Sequence, residues 1–263
     1  PLGITGIGIA TLIAQLISLL IILIKILNNQ RIKQITLDHF KAKFFFLKNI
    51  FFQSMPITIA ILGYSIAATV VFTYVGLFGE YAVAGYGSAT RIEQVVLLPI
   101  LGINTAIISI IAQNIGAKYY DRVEQSYFTS IKYGLFIMLI AGVVIFISAD
   151  IVPKFFSSNP DVIMHGSMYL KISAFILPAY PIFFLSNGFF MALKKSEKAM
   201  VNNIARNVIV PVLSFYIAKY LNADFKTFFY IWAIFQWLIS LILLFYVKSV
   251  SYTHLTLPTI REV

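Results

Sequence analysis

Glu93 is the carboxylate that sits well inside an apolar stretch, whereas Glu80, Asp121, Glu124, Asp150, Asp161, Glu197 and Asp224 fall in loops or at the ends of such stretches. An acid surrounded by hydrocarbon must be protonated, paired or wetted. It therefore marks either a site that handles a proton or a substrate, or one half of a structural ion pair with Arg91, Lys171 or Arg206. Gln94 follows it directly, and Asn104 lies about three helical turns further on, on the flank that Glu93 shares. Through residues 82–117, Gln94, Leu98, Gly102, Thr105, Ser109 and Gln113 form one stripe of a helix. Val95, Val96, Ile100, Ile107, Ile108, Ile110 and Ile111 form the opposite flank. A helix divided in this way lines an interior, one side wet or polar and the other greasy.

Four further side chains read as lining of a cavity for an amphipathic cation: Gln53, Tyr64, Tyr180 and Asn187, since aromatic faces attract positive charge. Each taken singly also reads as ordinary packing between helices. Arg206 and Asn207, with Asn202 and Asn203 one turn earlier, make a polar patch in which the plain reading of Arg206 is snorkelling to the membrane surface. Nothing points to a metal or a covalent cofactor. His39, His165 and His254 are far apart, and the chain has no cysteine, which excludes disulfides and thiolate sites. The cluster of Gly3, Gly6 and Gly8 follows no strand and lacks dinucleotide spacing, and Gly6, Ala10 and Ala14, four residues apart, form a small-residue face suited to close helix packing.

The elements that must position these residues follow from composition. The 263 residues are 60% hydrophobic and 11% charged, with a mean hydropathy of +0.88. A soluble domain carries roughly 25% charged residues, so a soluble enzyme is excluded and the chain reads as an all-α polytopic membrane protein. Seven spans are expected, over about 3–27, 51–77, 82–117, 133–149, 164–193, 200–220 and 225–247. Pro56 falls in a first turn, Pro178, Pro181 and Pro211 interrupt later spans, and residues 118–132 read as a polar loop. The net charge of +10 is a topology signal. If residues 25–48 face the cytoplasm, the inside loops hold 13 basic residues and the outside loops 3. That segment mixes Lys25, Arg31, Lys33, Lys41, Lys43 and Lys48 with Phe40, Phe44, Phe45 and Phe46, and reads as an amphipathic helix on the inner membrane surface. No nucleic-acid partner is expected.

Six segments in register carry a resemblance to a known family: GITGIGIATLIAQ, YAVAGYGSATRIEQ, AQNIGAKYYDRV, SSNPDVIMHGSMYLKI, FFLSNGFFMALKKSEKAM and RNVIVP. Together they resemble the multidrug and toxic compound extrusion (MATE) family from the end of the sixth helix through the twelfth. RIEQ and the arginine of RNVIVP are most similar to its damage-inducible (DinF-like) branch. The resemblance implies one lobe of a two-lobe transporter plus the last helix of the other lobe. Residues 1–27 would be that helix, 28–49 a cytoplasmic inter-lobe linker and 50–249 the six-helix carboxyl-terminal lobe. The hydrophobic pattern stops at Val247, and residues 250–263, VSYTHLTLPTIREV, read as a non-native tail resembling a translated sequencing adapter. The implied activity is antiport by alternating access in a prokaryotic inner membrane, exporting an organic cationic or amphipathic compound in exchange for Na⁺ or H⁺. Where some branches carry cation-binding acids, this chain has Tyr64 and Tyr180, so the coupling ion is unassigned. The partners implied are a small organic substrate, the bilayer and an amino-terminal lobe. A lipid-linked saccharide flippase and a non-transporting scaffold are the alternatives; a scaffold would bury the Gln94–Gln113 stripe and leave no concave surface.

Overall fold

A computed structural model describes residues 3–28 and 44–255. Among them the regular structure is helical: α1 (Gly3–Leu27), α2 (Phe44–Gly76), α3 (Glu80–Val96), α4 (Leu98–Gly116), α5 (Tyr120–Ser148), α6 (Pro160–Ile176), α7 (Tyr180–Ala192), α8 (Ser196–Ile204), α9 (Val210–Tyr220) and α10 (Phe225–Leu255). Seven stretches are long and apolar enough to cross a membrane: 8–27, 44–76, 98–116, 120–148, 160–192, 196–220 and 225–249. Residues 1–51 form one compact unit, containing α1 and the first turns of α2. Residues 52–263 form a second, which holds everything below. The linker expected at 28–49 lies largely outside the described residues, as does most of the tail from 250.

Two expectations change. Residues 118–132 are not a loop, because α5 is already helical from Tyr120. Val123, Tyr127 and Ile131, one turn apart each, are buried and hold this stretch to the bundle, while its charged residues take the open side. Pro56 lies inside α2, not in a first turn. The apolar run ahead of it continues as helix, since backbone in hydrocarbon must satisfy its own hydrogen bonds.

Close packing depends on small residues. A Cβ on Gly85 of α3 would stand 2.6 Å from the carbonyl oxygen of Val162 on α6. On Gly142 of α5 it would stand 2.6 Å from the carbonyl oxygen of Ala174, also on α6. Backbone can approach backbone at these points because nothing projects between them. The core gathers in two groups, one around Tyr74, Tyr86, Tyr169, Phe228 and Phe229, the other around Ile107, Ile111, Tyr127, Phe189 and Phe190. Lys118, Lys194 and Asn222 turn left-handed, with φ of 61°, 57° and 47°, where α4, α7 and α9 end. In each case the next amide donates back to a carbonyl five residues earlier, Tyr119 to Asn114, Lys195 to Phe190 and Ala223 to Ala218. The cationic side chains at the first two also suit a helix carboxyl end.

The helices break where proline enters. Leu97 separates α3 from α4, with Pro99 in the first turn of α4. A short 3₁₀ turn, Leu177–Ala179, carries Pro178 between α6 and α7. A π-helical turn, Ala205–Ile209, precedes Pro211 in α9. At the second break the indole Nε1 of Trp237 on α10 donates to the carbonyl oxygen of Phe175 at 2.8 Å. A side chain there binds the backbone near the interruption.

Candidate functional site

Ala82, Tyr86, Ala89 and Glu93 are the buried face of α3, spaced by three or four residues. That face lies along α6. On α6 and α7, Tyr169 and Tyr180 are three helical turns apart, so they project the same way despite the intervening break. Their hydroxyls both donate to Glu93, Tyr169 to Oε2 and Tyr180 to Oε1. The acid is thus buried and held by two phenols rather than by a cation. Of the expected basic partners, Arg91 instead donates to Oε1 of Gln94 at 3.4 Å, and Lys171 pairs with Asp150 at 2.7 Å. Lys171 and Ser167, both bonded to the Asp150 carboxyl beyond the end of α5, hold it below the usual carboxylate range.

Arg206 is the third expected partner. It is 5% exposed, which overturns the snorkelling expectation. Its guanidinium carbon stands 4.3 Å from the ring centre of Tyr180 and 4.2 Å from that of Phe183. Seated over two aromatic rings, it has no need of the membrane surface. Among the described residues its guanidinium donates no hydrogen bond and forms no ion pair, and its Nε is buried without a partner. Tyr180 therefore touches both charges, its hydroxyl on Glu93 and its ring under Arg206.

These groups open onto one cavity of about 350 Å³. Tyr64 and Ala67 of α2, Tyr86, Thr90, Glu93 and Gln94 of α3, and Tyr169 of α6 line it. Tyr180 and Phe183 of α7, Asn203 of α8, Arg206 and Asn207 of the π turn, and Trp232 and Gln236 of α10 also line it, with apolar residues such as Leu97 and Phe184 between them. Glu93 and Arg206 are the two charged residues in it. Gln236 is buried and its Oε1 has no partner.

Of the residues expected from sequence, Glu93, Gln94, Tyr64, Tyr180 and Arg206 come together here. Asn104 and Asn187 lie outside the lining. The break at Leu97 spoils the whole-turn relation between Glu93 and Asn104, and a Cβ on Gly188 of α7 would meet the Asn104 amide carbon at 3.3 Å. Asn187 accepts a hydrogen bond from Nδ2 of Asn202 at 2.7 Å, a buried link between α7 and α8. Gln53 falls within α2, and its side chain lies outside those described. The sequence reading overlooked Tyr86, Tyr169, Phe183, Trp232 and Gln236. The spacing of 169 and 180 on one face was the signal available for Tyr169. The rest of the polar stripe, Gly102, Thr105, Ser109 and Gln113, is exposed, and Ile100, Ile107 and Ile111 pack inward.

The profile of the MatE family matches residues 56–216. The chain belongs to the MatE family. It is similar to the probable multidrug resistance protein YpnP of Bacillus subtilis (strain 168), 27% identical over 150 residues, which cover 57% of this chain and 32% of that protein. It is also similar to the multidrug export protein MepA of Staphylococcus haemolyticus, 24% identical over 213 residues, or 81% of this chain and 47% of MepA. A solved structure of MATE in complex with MaD5 superposes with a TM-score of 0.81 at 23% identity, over 97% of this chain and 57% of that one. This MatE chain spans a third to a half of the length of the curated relatives named. It is a multi-pass, all-helical membrane protein of a transporter family and not an enzyme.

Proposed function

We propose that this MatE chain is the carboxyl-terminal lobe of a DinF-like secondary antiporter, with residues 1–27 the last helix of the other lobe and 28–49 the cytoplasmic link between lobes. The transporter exports organic compounds in exchange for Na⁺ or H⁺ by alternating access across a prokaryotic plasma membrane. Residues 250–263 take no part. The observation that carries this reading is the cavity of about 350 Å³, within the size range of small-molecule sites, with a buried carboxylate in its wall. The breaks at Leu97 and Leu177–Ala179 and the π turn Ala205–Ile209 each adjoin a cavity residue, Glu93, Tyr180 and Arg206 respectively. Interrupted helices around a central site are what a lobe that rocks about its ligand requires. A scaffold would have covered the polar stripe of α4, which is open. A saccharide flippase calls for a larger and more cationic cavity than one with a single arginine.

Glu93→Gln tests the reading. The variant is placed in a transporter completed by the amino-terminal lobe of a relative and reconstituted in vesicles. Drug-driven flux of Na⁺ or H⁺ is expected to be lost, while the melting temperature changes little because the amide oxygen accepts from one tyrosine and its NH2 can donate to the hydroxyl of the other. Unchanged flux removes Glu93 from the mechanism.

A further inference from the structure

The polarity of the cavity differs from what its single acid suggests. Both carboxylate oxygens of Glu93 are already taken by phenol hydroxyls, so they face donors within the protein rather than an incoming cation. Arg206 is the reverse case. Its guanidinium carbon stands over the rings of Tyr180 and Phe183, contacts that supply no lone-pair acceptor for its N–H groups. The N–H donors form a planar fork and make no hydrogen bond among the described residues. A cation 95% buried with no acceptor in contact is costly, and an interior usually provides the missing partner. Here Glu93 is near enough to be felt through space, but its oxygens are held by Tyr169 and Tyr180; among the described residues no acceptor touches the guanidinium, and the residue opens on a cavity, so a ligand can supply it.

We propose that Arg206 is an oxyanion-binding site, taking the carboxylate or phosphate of an organic compound whose apolar body lies among Tyr64, Tyr86, Phe183 and Trp232. This rests on reading the cavity as a binding site, not on coupling to an ion. The planar fork of donors matches the two oxygens of a carboxylate or phosphate, which an ammonium group or an uncharged alcohol cannot offer. Gln236, with its unpartnered amide oxygen, adds an acceptor for a hydroxyl or N–H elsewhere on the same compound.

The test uses the full chain in detergent and three probes of one shape: naphthalene-2-carboxylate, 2-naphthylmethanol and 2-naphthyltrimethylammonium, measured by equilibrium dialysis. The carboxylate is expected to bind at least about tenfold tighter than the alcohol, and the ammonium weakest. Arg206→Gln should abolish the preference for the carboxylate and leave the alcohol unchanged. Arg206→Lys keeps the charge without the fork and should retain only part of the preference, and it decides the matter if the glutamine variant does not fold. Tightest binding of the ammonium to the unaltered chain overturns the proposal, as does a uniform loss of all three probes on Arg206→Gln with the melting temperature kept. A carboxylate bound equally well by Arg206→Lys overturns it too. Added phosphatidylglycerol that displaces the carboxylate alone identifies a lipid headgroup as the source of the oxyanion; no displacement identifies a free organic acid. Retained carboxylate binding in a Glu93→Gln chain without flux, or with normal flux, leaves the anion site standing whatever becomes of the coupling.

Discussion

Tyr169 and Tyr180 hold one carboxylate from two helices, so the acid joins α3 to both sides of the α6–α7 break. Tyr169→Phe removes one hydrogen bond to a charged acceptor, a loss of about 1.5–3 kcal/mol, and should lower the melting temperature. In a double-mutant cycle, Tyr169→Phe should cost at least about 0.5 kcal/mol less in the Glu93→Gln background than in the unaltered chain. Strict additivity would mean that phenol and acid do not act together. The acid itself was legible in the sequence, as a lone carboxylate among apolar residues. Its partners were not, because opposite charge is the obvious complement and three basic residues were on offer. The protein uses neutral donors and leaves the cation on aromatic rings, an arrangement that depends on which side chains meet across the α6–α7 break. Arg206 was misjudged for the same reason: near a span end in sequence, it is enclosed by Tyr180 and Phe183 in space.

The contact of α3 with α6 turns on a glycine. Gly85→Ala would force a methyl to within 2.6 Å of the Val162 carbonyl oxygen and should destabilise by about 1–3 kcal/mol. Gly87→Ala, two residues further on, meets nothing within 4 Å and should be neutral or stabilise by up to about 1 kcal/mol. Thermal unfolding in detergent compares the pair; equal effects would show that backbone contact does not set the spacing of these helices. At this scale sequence served well for number and badly for ends. The expected count of seven spans agrees with the seven apolar stretches. The proline breaks in the fifth and sixth spans also stand where expected, at Pro178 and just ahead of Pro211. The stretch ahead of Lys132 was missed because hydropathy averages over the helix circumference, whereas Val123, Tyr127 and Ile131 need only one side of it.

A cavity lined from α2 to α10 cannot be seen in a sequence, since its residues run from Ala60 to Gln236 and each segment alone resembles packing. What the whole molecule adds is an optical consequence of α10. The chain has two tryptophans, Trp232 in the cavity wall and Trp237 bonded to the Phe175 carbonyl at the α6–α7 break. With Trp237→Phe, ultraviolet emission comes from the cavity alone, and bound naphthalene-2-carboxylate should quench it. With Trp232→Phe, it comes from the break alone, and the same compound should leave it unchanged unless binding disturbs the indole hydrogen bond. Two single-tryptophan chains thus separate occupancy from bending by colour and intensity, and quenching confined to Trp237 would place the ligand outside the cavity.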